Sequence, residues 1–220
     1  MNKFLKLGLI LSVLLSFTTY SNAIGFKMGV SATGAFFSAD GKEVADSDTQ
    51  TDSGDLYIGY ASIFGELGLG IFSVGVSYVP YAMESETTDN ARQDDCGMTS
   101  SGTCTTSTNT VQVDIVDLTT IYGKVNVGDN LYGKVGVARA DVETNEKLGN
   151  STYGNTDLTG AFVGAGFEKD LDQGDGMFIR GEASYSVFDD VSLTASNTEN
   201  IVTVTDLSGA SLSISIGKSF

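Results

Sequence analysis

The spacing of its alternating segments constrains this chain more than any other feature. After residue 23, apolar residues alternate with small or polar ones in eight runs, at 25–37, 55–65, 71–81, 110–127, 131–140, 159–168, 177–188 and 207–220. A period of two marks a strand with two unlike faces. No stretch of the chain after residue 23 carries apolar residues at helical spacing over three turns. The connections at 66–70, 128–130 and 169–176 hold five, three and eight residues, whereas those at 38–54, 82–109, 141–158 and 189–206 hold 17, 28, 18 and 18. Short and long alternate without exception. In an up-and-down sheet every second connection lies at the same end, so the long ones gather at one end and the short ones at the other.

A water-soluble sheet has no reason to segregate its loops in this way. A membrane barrel does, with short periplasmic turns and long outer loops. The expected fold is therefore all-β: an eight-stranded antiparallel up-and-down transmembrane β-barrel with short periplasmic turns and long extracellular loops. A strand of ten residues rises roughly 33 Å. Tilted by about 40° it spans roughly 25 Å, the height of the apolar band of such barrels. With 27 Gly and one Pro, the composition suits a sheet with tight corners. A secreted, water-soluble ligand-binding barrel is the alternative architecture.

Residues 1–23 read as a signal peptide and residues 24–220 as the barrel domain. Lys3 and Lys6 form a positive start, residues 7–17 an apolar stretch too short to span a bilayer as a helix, and Ser21 and Ala23 offer small residues for cleavage. An uncleaved anchor helix is the other reading. Without the signal the chain carries 10 basic and 28 acidic residues, a formal −18. That argues against nucleic acid as a partner, since a phosphate backbone needs a basic footprint. The acid concentrates in the long loops: Asp40, Glu43, Asp46, Asp48 and Asp52 in the first, and Glu84, Glu86, Asp89, Asp94 and Asp95 in the second. Cys96 and Cys104 in the second loop suit a disulfide in an exported chain. Free thiols or half of a metal site are the alternatives.

The faces of the runs then predict what meets lipid. In the last run Ala210, Leu212, Ile214, Ile216 and Phe220 share one face, and Ser211, Ser213, Ser215 and Gly217 the other. The first, fifth, sixth and seventh runs likewise set apolar residues against faces that mix charges with glycine and serine. Small residues with a few large ones fit the crowded inside of a narrow barrel. The tetrapeptide YGKV occurs at 122–125 and at 132–135, and a three-residue turn between them sets Lys124 opposite Lys134, both inward. Glu168, Arg180 and Glu182 share that parity, so these five residues are expected to form a lumenal charge network. Its two readings are a structural filling and a gated conduction path. The second run is apolar on both faces and its parity is undecided. In the fourth run Asp117 falls on the face of Val113, Ile115, Ile121 and Val125. It is expected at the outer interface, where a rim ion pair with Arg139 is within reach, and residues 110–116 are expected above the bilayer.

With the signal, the eight runs, the loop asymmetry and the closing SLSISIGKSF together, residues 24–220 resemble the small outer-membrane β-barrels of the OmpA-barrel, OmpX and opacity-protein type. The resemblance implies a protein of the Gram-negative outer membrane, monomeric, surrounded by outer-membrane lipid and lipopolysaccharide. It also implies that Leu212, Ile214, Ile216 and Phe220 form the assembly signal read by the barrel-assembly machinery. Lys218 stands where an apolar residue is usual in that pattern; near the periplasmic rim its ammonium can snorkel.

Catalysis, cofactors and nucleotides find little support. The chain has no His, the residue most used for acid–base work near neutral pH. Paired loop carboxylates such as Asp94-Asp95 and Asp189-Asp190 are ordinary solvated charges. No cofactor is expected. Asp46, Asp48 and Asp52, like the acidic 170–176 stretch, lack the features of an EF-hand. Weak divalent binding that bridges lipopolysaccharide is the most they suggest. GAFVGAG at 160–166 precedes no helix and is not a nucleotide loop. The expected function is a non-enzymatic structural or surface-interaction scaffold that presents acidic extracellular loops to a partner the residues do not name. The alternative is a narrow porin-like channel or a barrel that transports small apolar solutes, including by a lateral path.

Overall fold

The computed structural model of the chain describes residues 24–45, 48–85, 88–93, 106–147, 152–171 and 176–220. Eight strands form the ring: β1 (Ile24–Ala45), β2 (Asp48–Leu69), β3 (Phe72–Tyr78), β4 (Thr106–Val127), β5 (Leu131–Lys147), β6 (Thr156–Asp170), β7 (Met177–Phe188) and β8 (Ile201–Ser219). Each pairs antiparallel with the next, and β8 pairs with β1 from Lys27↔Ser219 to Val44↔Ile201, which closes the ring. Short strands Met83–Glu84 and Thr88–Gln93 lie on β4, and Val191–Thr194 on β8. The expected signal peptide at 1–23 and the cysteines at 96 and 104 lie outside the described residues.

The alternation in the sequence maps onto the two sides of this wall. Residues facing outward are apolar and exposed: Leu212 is 71% and Ile214 74% accessible, and Val30, Val74, Ile121, Val135 and Val163 lie in the same belt. A protein that turns its aliphatic side chains outward has lipid as its solvent. Phe36 and Tyr57, their ring centres 4.8 Å apart and tilted by 44°, belong to the upper end of that belt. Phe220 packs against Phe26 at the lower end, with the Lys218 ammonium over the Phe220 ring. The three short turns each hold a glycine with positive φ, Gly70, Gly128 and Gly176, a backbone shape that glycine adopts without strain.

Strands β1, β2, β4 and β5 run well past the sequence runs, whereas β3 stops short of its run and β7 matches it. β1, β2 and β4 have 22 residues each, on the order of 70 Å of extended chain against a belt about 25 Å tall. Much of what reads as long loop in the sequence is therefore strand. β1 and β2 stay paired to Ala45↔Asp48, and β4 and β5 to Thr110↔Lys147. Backbone pairing to a neighbour carries these segments although their side chains show little apolar alternation.

Two bulges interrupt the ladders, at Asp117 in β4 and Asp206 in β8. Both residues have left-handed φ, 54° and 55°, and both ladders shift register beside them. An extra residue in one strand reverses which parity faces inward. Ile115, on the parity of the lipid-facing Ile121, consequently lines the lumen. The sequence expectation that 113, 115, 117 and 121 share one face fails at this bulge.

Candidate functional site

The lumen has two parts. Its lower part, within a few residues of the short turns, is filled by charge. Glu66 and Glu168 lie between Lys124 and Arg180. The Arg180 guanidinium donates to both oxygens of Glu66, at 2.6 and 2.9 Å, and to Glu168 from Nε and Nη2. The Lys124 ammonium donates to Glu66 and to Glu168, each at 2.9 Å. Lys27 adds an ion pair to Glu168, and the Tyr122 hydroxyl donates to Glu66. Just above, Lys134 donates to Glu182 at 2.9 Å, and the Tyr132 hydroxyl donates to the same carboxylate. Lys124 and Glu66 are 1% accessible and Arg180 3%.

Charges this buried persist only when paired and hydrogen-bonded, and here each carboxylate accepts at least three hydrogen bonds. Lys124 and Lys134 are direct cross-strand partners, so carboxylates from other strands must separate two facing cations. Glu66 and Glu182 supply them. Aromatic rings pack the remaining space: Phe64 and Phe178 lie beside the Arg180 guanidinium, and the Lys134 ammonium sits 4.1 Å from the Tyr122 ring centre. Several of these rings lie across an inward glycine of the next strand. A β-carbon on Gly75 would stand 2.6 Å from Tyr122 ring atoms, and one on Gly136 2.8 Å from the Phe162 ring.

The five residues expected to form the network, Lys124, Lys134, Glu168, Arg180 and Glu182, thus all face the lumen. They divide into two connected layers. Sequence reasoning missed Glu66, Lys27, Tyr122 and Tyr132 as members. Glu66 falls just past the point where the second run is read to end, yet β2 continues to Leu69. The alternation of Tyr60, Ser62, Phe64 and Glu66 against Ala61, Ile63, Gly65 and Leu67 is the signal that finds it. Leu212, Ile214 and Ile216 face outward and are exposed. At the rim, Arg139 pairs with Asp157 at 2.9 Å, and Asp117 accepts a hydrogen bond from the Tyr78 hydroxyl. The expected Asp117–Arg139 pair gives way to these partners because the bulge takes Asp117 out of the ladder.

The upper part of the lumen is an open cup of about 400 Å³. Its base is polar, with Ser31, Thr33, Tyr60, Ser213 and Ser215 beside Lys134, Arg180 and Glu182. Its neck is apolar, with Leu56, Ile58, Val79, Met83, Leu118 and Leu158. The barrel wall is incomplete beside this neck. β2 pairs with β3 only from Ile63↔Tyr78 down to Leu69↔Phe72. Above Ile63, no strand among the described residues pairs with that edge of β2. The edge is bridged by a hydrogen bond from the Ala61 amide to the Tyr81 hydroxyl. Ile63 stands six residues above Leu69, roughly 20 Å along the strand. With a tilt of about 40° that is about 15 Å of height, inside an apolar belt about 25 Å tall.

No family model and no curated protein matches the chain. Solved structures do. The outer membrane protein AlkL, determined in lipid bilayers, aligns at a TM-score of 0.56 with 13% identity, covering 92% of this chain and 93% of that one. The outer membrane protein OprG of Pseudomonas aeruginosa aligns at 0.54 with 11% identity, covering 91% and 97%. Neisserial surface protein A aligns at 0.40 with 11% identity, covering 89% and 97%. The closed ring of eight antiparallel strands, the exposed apolar belt and the alignments with AlkL and OprG together give the chain the fold of a small outer-membrane β-barrel.

Proposed function

We propose that this barrel admits small, largely apolar solutes to the cup and passes them sideways into the outer leaflet. The observation that carries this reading is the coincidence of the apolar neck with the unpaired edge of β2 at membrane height. A solute entering from outside meets a floor of paired charges below and an opening in the wall beside it. Moving sideways avoids the charged floor, where desolvated ions are costly to disturb. The reading is non-enzymatic and needs no cofactor.

The test is uptake of naphthalene by cells producing wild type or Ala140→Trp at equal outer-membrane levels. Ala140 lines the cup and is 2% accessible, so an indole there fills the neck. Uptake several-fold above the empty-vector rate is expected for wild type, and a return to that rate for A140W. Equal rates for the two proteins would sink the proposal.

A second reading rests on the height of the outer strands. The acidic β1–β2 hairpin is paired to its tip, so it forms a stiff arm suited to surface recognition. Deleting residues 42–51 should remove surface adhesion if this reading holds, and leave naphthalene uptake unchanged.

A further inference from the structure

The lower charge layer does not balance. Lys27, Lys124 and Arg180 bring three positive charges to a cluster that holds two carboxylates, Glu66 and Glu168. The layer above is neutral, Lys134 with Glu182. Asp170 at the periplasmic mouth is exposed, as is Asp55, which lines the upper end of the cup, and neither joins a layer. Among the described residues the cluster therefore carries one surplus positive charge, with Lys124 and Arg180 buried and Lys27 a quarter accessible, in a chain whose formal charge is −16.

That excess faces the cup. Arg180 belongs to the cluster and also lines the cavity base. Ser215, its cross-strand neighbour, bonds the Ser31 hydroxyl at 2.8 Å, and Ser213 stands one inward position higher. Among the described residues Ser213 has no side-chain partner in the protein. Below an apolar neck the hydroxyls of Ser213 and Ser215 thus stand beside Arg180 and beside Lys134, which is paired with Glu182. The surplus cation leaves the base of the cup at positive potential, and a bound anion would complement it.

We propose that the cup is a site for amphipathic carboxylates, seated with the carboxylate on the base among Arg180, Lys134, Ser213 and Ser215 and the apolar body in the neck. This rests on the cup being a solute site, as proposed above, and adds the chemical class of solute. The electrostatic preference comes from the whole cluster, so a cation far from the cavity also sets it. Lys27 is that cation: it pairs with Glu168 and is not part of the cavity wall.

The experiment uses two fluorescent probes of nearly equal shape, 2-naphthoate and 2-naphthamide, titrated at pH 7.5 into refolded protein in lipid nanodiscs, with empty nanodiscs as the blank. Wild type should bind the naphthoate at least tenfold tighter than the amide. Lys27→Met, which leaves two cations on two carboxylates, should bring the ratio near one and leave amide affinity unchanged. Ser73→Asp, which places a new carboxylate across the strand from Lys124, should do the same, and it serves if Lys27→Met fails to insert. If wild type binds the amide as tightly as the naphthoate, the carboxylate proposal is wrong and the cup still holds solutes. A tenfold preference that survives in the inserted variants would also overturn it. If wild type binds neither probe, the solute-site reading falls as well.

Discussion

The lower and upper halves of the lumen use the same eight strands to opposite ends. Below, long side chains meet across the barrel and fill it with ion pairs and rings, and Glu66, Lys124, Arg180 and Phe178 at their centre are only 0–3% accessible. Above, inward positions carry serine, alanine, leucine and isoleucine, and the space stays open. An eight-stranded barrel has an interior just wide enough for side chains to fill. Whether it is solid or hollow is therefore decided by side-chain length at a few inward positions, and not by strand number.

The most decisive way to break this contrast is to empty the lower half. Glu66→Ala combined with Arg180→Ala removes the centre of the ion-pair layer. Planar-bilayer recordings should then change from no resolved current steps in wild type to clear steps. A silent double variant would mean that something other than this layer closes the barrel. Next in size is a stability effect. Glu66→Gln leaves Arg180 and Lys124 sharing Glu168 alone and should cost about 3–5 kcal/mol, read from urea titration followed by heat-modifiable gel mobility. Leu158→Ala in the neck should cost about 2 kcal/mol, the low end for such a truncation, because its side chain borders existing space. Equal losses would erase the distinction between a packed half and an open one.

Smaller effects sharpen the picture. Gly75→Ala drives a methyl against the Tyr122 ring, which itself donates to Glu66, and should cost about 1–3 kcal/mol. Gly123→Ala, where an added β-carbon meets nothing within 4 Å, should change stability by less than about 0.5 kcal/mol. Smallest is Arg139→Ala at the rim. That ion pair is 65% and 61% accessible, and screening by water limits its contribution to under about 1 kcal/mol. A larger loss would show that the rim is shielded from solvent.

The two halves were not equally legible. The charges below stand on strands with strict alternation, so their parity reads directly, and YGKV on either side of a short turn sets Lys124 against Lys134. Glu66 escaped because β2 carries apolar residues on both faces, Ile58 and Phe64 inward and Ile63 and Leu67 outward, which blurs the period. The cup was legible only as a surplus of small inward residues. The opening beside it depends on where β3 stops, at Tyr78, while β2 continues to Asp48. Pairing length is a property of two strands together, and neither sequence run alone reports it. The bulge at Asp117 defeated the parity of the fourth run for a related reason: an aspartate in left-handed conformation leaves little trace in hydropathy.

The ion-pair layer also bears on how the barrel closes. Glu66 and Arg180 are 114 residues apart and Lys27 and Glu168 are 141 apart, so these contacts form late, when distant strands meet. A seam joined two residues out of register would keep every aliphatic residue on the lipid side, and the bilayer would scarcely discriminate against it. The same slip would carry each cation roughly 7 Å from its carboxylate and strand ions that cost several kcal/mol apiece. The filling of the lower lumen thus works as a lock whose only fitting key is the native shear.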